Sequence, residues 1–286
     1  MILSSRDGPT PSLNLGKIYP RRPKNARKGD FGRVIIAGGS DRYAGCLAFN
    51  ALSALRAGAD LAIIVAPRRA ADIAASYSPD FITVPCDSAF PEPLLVEELL
   101  SGADALVLGC GVVRTRSAHQ ALLKIIKGCS LPIVADAEAL HAIAAHPHMF
   151  RGKPVLLTPN AGEFQALARR PWPSSERDRV SAVKHLANDY NATVIVKGAE
   201  DYVSDGTRVH VDYEGSPYLT KGGYGDLLAG VAGAVMARGT DPFEAASIAA
   251  YLVGRAGKMA SDKLGEGTLA SDALLQLPLA LPRSGR

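Results

Sequence analysis

Short runs of aliphatic and β-branched residues alternate with amphipathic segments along most of the chain. The first run, at 33–37, ends in Gly38 and Gly39, and the next, at 61–65, is apolar without interruption and closes at Pro67. Continuous apolarity is typical of strands buried on both faces, as in a parallel sheet. The same pattern predicts further strands at about 81–85, 105–108, 132–135, 155–158 and 193–197.

Segments in which apolar residues recur with helical spacing separate these strands. They predict helices at about 44–57, 92–100, 116–127, 137–145, 161–168 and 175–190. Strands that alternate with helices of this length form βαβ units with right-handed crossovers. The sequence therefore predicts one doubly wound α/β domain, with helices on both faces of a mostly parallel sheet.

The pattern changes after residue 198. Two short alternating runs, 202–204 and 208–211, flank Asp205-Gly206, which is a hairpin signal, so an antiparallel hairpin is expected at the later edge of the sheet. Helices follow at about 223–238, 241–261 and 271–276. At the other end, prolines are spaced through residues 1–27, which we expect to form an irregular arm before a single domain at 28–286.

Composition narrows the class of protein. The 286 residues are 47% hydrophobic, which allows a large core, and the net charge of +4 with 6% aromatic residues does not favour nucleic-acid binding. The 4 cysteines are far apart and lack zinc-binding spacing, so we expect reduced thiols in a cytoplasmic protein. No apolar run approaches the roughly 20 residues that span a bilayer, so no membrane association is expected.

The stretch 220–230 combines a glycine-rich first half with an apolar second half that has helical spacing. Glycines let a ligand approach the backbone closely, and the first turn of a helix carries unpaired N–H groups that attract phosphate. Asp226 lies at the start of this predicted helix. Its carboxylate could cap the helix, or it could take a proton from a hydroxyl that attacks a phosphoryl group. This stretch alone leaves both interpretations open.

Five other loops directly follow apolar strands. Each has the composition of an ordinary turn, but ligands of a doubly wound sheet bind beyond the carboxyl ends of its strands. Their common position therefore predicts a composite site on that rim. The loops are at 38–40, 109–111, 136–138, 158–163 and 197–198.

Several side chains in these loops have two interpretations. Asp136 and Glu138 could hold Mg²⁺ through water, or Asp136 could cap a helix while Glu138 is solvated. Glu163 could form a capping box with Asn160, or contact a phosphate that carries Mg²⁺. Arg114 and Arg116 could meet substrate phosphates or belong to a solvated face.

Eight short segments also occur together in a specific order, at 28–33, 37–40, 43–45, 54–61, 134–140, 157–164, 196–198 and 222–230. They resemble the corresponding segments of the ADP/ATP-dependent NAD(P)H-hydrate dehydratases, a family of the ribokinase-like superfamily. The resemblance implies a three-layer α/β/α fold and a homo-oligomer. It also implies that hydrated NADH or NADPH is phosphorylated on its ring hydroxyl by ADP or ATP, with Mg²⁺, and that loss of phosphate then restores the cofactor.

The resemblance also assigns roles to residues. Asp226 would be the catalytic base, and the backbone amides of Gly223, Tyr224 and Gly225 would form an anion hole. The nucleotide would be bound by Lys197, Gly198, Ala199, Glu200, Asp201 and Gly225. The hydrated dinucleotide would be bound at Cys46, Gly111, Asn160 and Asp226, while Asp136 and Glu163 remain the candidates for water-mediated contact with Mg²⁺.

Four positions depart from the family's pattern. Tyr224 replaces a threonine, Asn160 a histidine and Cys46 an alanine, and Val113 stands where the family's glycine-rich run ends in a glycine. Most of these changes fall on the substrate side, whereas Asp226 is kept. Two alternatives therefore stay open: a ribokinase-like kinase for another small alcohol, whose product would be a stable phosphoester, and a nucleotide-binding protein with weakened catalysis.

Overall fold

The computed structural model describes residues 2–4 and 15–282, in which one ten-stranded sheet lies between two layers of helices. The strands are β1 (Ile2–Ser4), β2 (Arg33–Ala37), β3 (Leu61–Pro67), β4 (Ile82–Cys86), β5 (Ala105–Leu108), β6 (Ile133–Ala135), β7 (Val155–Leu157), β8 (Thr193–Val196), β9 (Asp201–Ser204) and β10 (Val209–Asp212). The helices are α1 (Leu15–Ile18), α2 (Gly45–Arg56), α3 (Arg68–Ala75), α4 (Pro93–Leu100), α5 (Arg116–Gly128), α6 (Glu138–Ile143), α7 (Ala161–Ala168), α8 (Glu176–Tyr190), α9 (Tyr224–Ala237), α10 (Pro242–Leu264) and α11 (Ala270–Ala280).

The strand order is β1-β10-β9-β8-β7-β6-β5-β2-β3-β4. From β8 to β4 all neighbours are parallel, and β9 runs antiparallel to both β8 and β10. The predicted hairpin and the mostly parallel sheet are thus confirmed. One strand lies beyond the hairpin, because Ile2–Ser4 pairs in parallel with β10.

Alternate residues of the central strands belong to two separate hydrophobic cores, one on each face of the sheet. Val34 and Ile36 of β2 pack against the layer that contains α2, α9 and α10, whereas Ile35 and Ala37 pack against the layer that contains α5 and α8. All four side chains are completely buried. A strand covered on both faces has no solvent side, which explains why these runs are apolar without interruption.

Two short elements lie within the segment predicted to be irregular, namely β1 and α1. The part of this segment after residue 14 is held against the body of the protein. Arg238 donates hydrogen bonds of 3.0 and 3.1 Å to the Ile18 carbonyl, and Arg22 forms a 2.6 Å ion pair with Asp60. Residues 1 and 5–14 lie outside the described ranges, and the domain boundary after residue 27 stays a prediction.

Two helices differ from the sequence prediction. Helix α3 was not predicted, because its buried face consists of the small residues Ala70, Ala71 and Ala74, which give a weak apolar signal. Helix α10 has 23 residues and continues past the predicted end to Leu264, where Gly265 follows it. Within the described ranges, none of the helices combines the length and apolarity needed to cross a membrane.

Helices α2 and α9 approach each other closely at Gly230. A Cβ atom at this position would lie 2.1 Å from Ser53 Oγ and 2.3 Å from the Asn50 carbonyl oxygen. No real Cβ fits at such distances, so only glycine permits this spacing. The contact matters for the cleft described below, because α2 carries Cys46 and Asn50 and α9 carries Asp226.

We predict that Gly230→Ala destabilises the protein by about 1–3 kcal/mol, the usual cost of overpacking a core. The measurement is chemical denaturation. Gly128→Ala is the matched control, because no atom lies within 4 Å of a Cβ built on Gly128, the last residue of α5. Equal stability of the two variants would contradict the close approach of α2 and α9.

Candidate functional site

The order in which successive strands are added to the sheet changes direction between β2 and β5. These strands are neighbours, but the chain continues from β2 outward through β3 and β4, and from β5 outward the other way. Ligands of open α/β sheets bind at such a point, outside the carboxyl ends of the strands. A cleft of about 1430 Å³ lies there.

The cleft gathers nearly all residues that the sequence proposed for the site. Its lining includes Cys46, Gly111, Asp136, Asn160, Glu163, Lys197, Gly198, Ala199, Asp201, Gly223, Tyr224, Gly225 and Asp226. Glu200 is the exception: it does not line the cleft, and its carboxylate forms a 2.9 Å ion pair with Arg179. The side chain of Glu200 is therefore paired with Arg179 of α8 and does not face a ligand in the cleft.

The amino end of α9 presents free backbone amides to the cleft. Gly223 precedes the helix with a φ of +103°, a conformation that glycine adopts without strain. The first hydrogen bond of the helix runs from the Leu227 N–H to the Gly223 carbonyl. Among the described residues, none accepts a hydrogen bond from the amides of Gly223, Tyr224 or Gly225. Such a helix end attracts anions.

The side chain of Tyr224 does not occupy this position. It is buried in the core beside α10 and α11, and its hydroxyl donates a 3.3 Å hydrogen bond to the Leu269 carbonyl. Burial raises the pKa of Tyr224 to about 12. The Tyr224 side chain therefore packs behind the helix, and the backbone amides at its amino end remain accessible from the cleft.

Asp226 is the third residue of α9 and faces the cleft. Its Oδ1 accepts a 3.2 Å hydrogen bond from Asn50 Nδ2, while the N-terminal cap position is Gly223, which makes no side-chain cap; the capping interpretation is therefore wrong. Burial raises the pKa of Asp226 to about 7, and Asp136 adds to the rise, whereas Lys197 and the Asn50 bond oppose it. A carboxylate with a pKa near neutrality can act as a general base.

Lys197 and Asp136 form an ion pair on the floor of the cleft. Lys197 Nζ lies 2.8 Å from Asp136 Oδ1, which also accepts a 2.5 Å hydrogen bond from the Thr158 hydroxyl. The ammonium is close to the amide edge as well, because a Cβ on Gly225 would lie 3.2 Å from it. Asp136 does not cap α6, whose cap position is Ala137, so that alternative is wrong.

Two predicted carboxylates have structural partners. Glu163 and Asn160 form the predicted capping box of α7, with hydrogen bonds of 2.8 and 3.0 Å. Glu138 was expected to hold Mg²⁺ or be solvated, but it is buried: Arg114 donates to both of its oxygens, and His119 Nε2 lies 2.5 Å away. Burial would raise the pKa of Glu138, but the hydrogen bonds from Arg114 and His119 lower it overall.

Asp201 closes the far end of the Lys197 loop. Its Oδ1 accepts a 3.0 Å hydrogen bond from the Gly198 amide. Burial raises the pKa of Asp201 to about 7, while the Gly198 bond opposes the rise. The loop between β8 and β9 is thus held at one end by the Lys197–Asp136 ion pair and at the other by the hydrogen bond from the Gly198 amide to Asp201.

The structure also places at the site three residues for which no individual role was predicted: Asn50, Thr158 and Cys110. Asn50 is completely buried, donates to the Cys46 carbonyl, and contacts Asp226 from a separate helix. Its one signal is an amide side chain on a buried helix face that is otherwise apolar except for Ser53. Cys110 is completely buried in the turn after β5, and its sulfur atom lies within 4.8 Å of the sulfur atom of Cys46. A contact between residues 64 positions apart leaves no local trace in the sequence.

Comparison with known proteins agrees with this geometry. A family model described as NAD(P)H-hydrate dehydratase matches residues 34–279. The chain is 34% identical over 270 residues to the ADP-dependent (S)-NAD(P)H-hydrate dehydratase of Cenarchaeum symbiosum, covering 93% of each protein. It is 38% identical over 268 residues to the bifunctional NAD(P)H-hydrate repair enzyme Nnr of Pyrobaculum aerophilum, covering 92% of this chain and 53% of that protein. The chain thus spans about half the length of the bifunctional relatives.

A solved structure supports the fold. The ADP/ATP-dependent NAD(P)H-hydrate dehydratase of Bacillus subtilis, co-crystallised with ATP and Mg²⁺, superposes with a TM-score of 0.80 at 24% identity, covering 93% of this chain and 94% of that one. At this identity the likeness concerns the fold alone. It confirms the three-layer ribokinase-like architecture.

We predict that Asp226→Asn makes the protein more stable than wild type, and increasingly so as the pH rises from 5 to 8. The folded pKa of about 7 lies above the ordinary 3.8, so the stability that the protonated carboxyl contributes is lost as the pH rises through 7. An asparagine stays neutral. The difference in unfolding free energy should reach the order of 2–4 kcal/mol at pH 8, since each pKa unit corresponds to about 1.4 kcal/mol.

Denaturant titrations at pH 5, 6, 7 and 8 provide the measurement. Asp189→Asn, at an exposed position of α8, serves as the control for replacing an aspartate by an amide. A stability difference for Asp226→Asn that does not change with pH would show that Asp226 does not titrate in this range.

Proposed function

The chain belongs to the NAD(P)H-hydrate dehydratase family, and from this premise we propose that it dehydrates hydrated NADH or NADPH, with ADP or ATP as the phosphoryl donor. The net reaction is that of a hydro-lyase driven by transfer and release of phosphate. One observation carries the proposal: Asp226 lies in the same cleft as the free amides that begin α9 and the Lys197–Asp136 pair. This arrangement provides a base, an anion site and a cation for a single phosphoryl transfer.

The first step is attack of the ring hydroxyl on the terminal phosphoryl group. Asp226 takes the hydroxyl proton as the oxygen–phosphorus bond forms, and the bond to the nucleotide's bridging oxygen breaks. Negative charge on the transferring group is stabilised by the amides of Gly223, Tyr224 and Gly225. The phosphate on the ring is a better leaving group than hydroxide, so it departs with its bonding electrons, a ring proton is lost, and the double bond re-forms.

The nucleotide is assigned to the side of the cleft formed by the loop after β8. Lys197, Gly198, Ala199 and Asp201 line that side. The Lys197 ammonium provides positive charge close to the amide edge, as a phosphate chain requires. Glu200 acts indirectly in this proposal, because its ion pair with Arg179 anchors the loop to α8.

The hydrated dinucleotide is assigned to Cys46, Gly111 and Asn160, which line the same cleft. The cleft volume of about 1430 Å³ exceeds the roughly 300–1,000 Å³ typical of a site for one small molecule. Two nucleotide-sized substrates therefore have room to meet at Asp226.

Mg²⁺ fits the oxygen groups on the cleft floor. Asp136 Oδ2 and Glu163 Oε1 accept no hydrogen bond from residues 2–4 or 15–282, so each carboxylate keeps one oxygen for a metal-bound water. Hard oxygen ligands and retained waters are what Mg²⁺ prefers. When bound, the ion would neutralise charge on the nucleotide's phosphates.

The direct test is to incubate the purified protein with hydrated NADH, Mg²⁺ and either ADP or ATP. The absorbance of the reduced nicotinamide ring should return, and one phosphate should be released for each ring restored. Formation of a stable phosphoester without recovery of NADH would instead indicate a kinase for a different alcohol. Absence of recovery with both nucleotides and both hydrated cofactors would refute the proposal.

We predict that Asp226→Asn lowers kcat at least about 100-fold, the usual contribution of a general base. Nucleotide affinity, measured by calorimetry, should change little, because the amides and Lys197 remain. Asp189→Asn again serves as the matched control and should keep wild-type turnover. If Asp226→Asn retained activity, the assignment of the base would be wrong.

A further inference from the structure

Two cysteines that are distant in the sequence meet beside Asp226. The sulfur atoms of Cys46 and Cys110 and a carboxylate oxygen of Asp226 all lie within 4.8 Å of one another. Each comes from a different rigid part of the fold: Cys46 from the first turn of α2, Cys110 from the turn after β5, and Asp226 from the first turn of α9. Two thiols and a carboxylate are a ligand set for a thiophilic cation.

We propose that Cys46, Cys110 and Asp226 form a binding site for Zn²⁺ or a chemically similar thiophilic cation, and that the bound ion blocks Asp226. In tetrahedral zinc sites, where Zn–S distances are about 2.3 Å, neighbouring ligand atoms are roughly 3.8 Å apart. The three ligand atoms here need to move by about an ångström or less to reach that arrangement. The fourth position would be taken by water or by a substrate oxygen from the cleft.

The cleft gives an ion access to the site, and neighbouring backbone contacts hold the two cysteines in place. Cys46 is half-buried and lines the cleft together with Asp226, whereas Cys110 is completely buried behind them. Gly111 is needed for this packing, because a Cβ there would lie 2.5 Å from the Cys46 sulfur. The backbone of Cys110 is fixed by the Gly39 amide, which donates a 2.7 Å hydrogen bond to its carbonyl.

The local electrostatics are of the kind that a cation relieves. The contact with Cys46 and burial raise the pKa of Cys110 well above its ordinary value, and Asp226 and Asp136 add to the rise. A divalent cation bound at this point would favour the thiolate of Cys110 and offset the charge of the nearby carboxylates. Binding would release the thiol protons to solvent.

The site discriminates between cations. Mg²⁺ requires oxygen ligands and retains its waters, so sulfur ligands exclude it, whereas Zn²⁺ accepts both sulfur and oxygen. Binding of Zn²⁺ depends only on the three ligands. Its consequence for turnover depends on the proposed function, because it requires Asp226 to be the base.

The binding experiment uses the full chain, kept reduced and freed of metal by a chelator. Zn²⁺ is titrated in competition with a chromophoric chelator, and Co²⁺ is added separately to detect a thiolate-to-cobalt charge-transfer band. We expect one tight site per chain, with affinity at least about 100-fold lower in Cys46→Ser and in Cys110→Ala, since even indirect disturbance of a metal site costs 10–100-fold. The cobalt band should disappear in both variants.

Cys86→Ala and Cys129→Ala are matched controls, because these two thiols are also buried but are hydrogen-bonded to backbone carbonyls elsewhere, at Phe90 and Leu131. Both should bind Zn²⁺ as wild type does. Thermal melts establish that each variant is folded, and Cys46→Ser, at a half-buried position, remains informative if Cys110→Ala does not fold. Binding that survives Cys46→Ser, or that is absent from the wild type, would overturn the site.

The activity arm compares initial rates with and without Zn²⁺ for each protein. Zn²⁺ should suppress wild-type turnover, a chelator should restore it, and Cys110→Ala should lose at least ~10-fold in sensitivity to Zn²⁺. A protein that binds Zn²⁺ at these cysteines but never restores NADH would refute the proposed function and leave the metal site standing. Turnover without any zinc binding would refute only the metal site.

Discussion

A single ammonium group allows three carboxylates to share the floor of the cleft. Burial alone would lower the pKa of Lys197, but the attraction of Asp136, Glu163 and Asp226 raises it overall, so the side chain stays charged. Its ion pair with Asp136 leaves Asp226 less compensated, and burial can therefore hold the pKa of Asp226 near 7. The unequal sharing of one positive charge makes Asp136 the ion-pair partner of Lys197 and leaves Asp226 with a raised pKa.

This distribution of charge depends on how closely the backbones approach. At Gly230 the helices that carry Asn50 and Asp226 pack with no room for a Cβ, and Gly223, with a positive φ, precedes α9 at the cleft. The same closeness brings Cys46 to Asp226 and, through Gly111, to the turn after β5. The glycines at 111 and 230 thus allow polar groups of α2, α9 and the turn after β5 to come into contact.

Local sequence patterns predicted most of the fold, because the central strands are buried on both faces and their apolar runs are unambiguous. Elements whose stability comes from neighbours were not predicted. The buried face of α3 contains only alanines, and Ile2–Ser4 becomes a strand because β10 offers it a free edge. Two alternatives failed for a related reason. Asp226 and Asp136 were both plausible helix caps by position, but Gly223 and Ala137 occupy those positions.

Neighbouring residues were enough to predict the alternation of strands and helices, the glycine-rich turn before α9, and the loops that share one rim. Contacts between distant side chains became visible only in the folded protein. Asn50 bonds to Asp226 across 176 positions, Lys197 pairs with Asp136 across 61, and Cys110 meets Cys46. Tyr224 turns into the core, and Glu200 turns away from the cleft. Side-chain direction and long-range contact depend on how whole layers pack, and local composition does not record that.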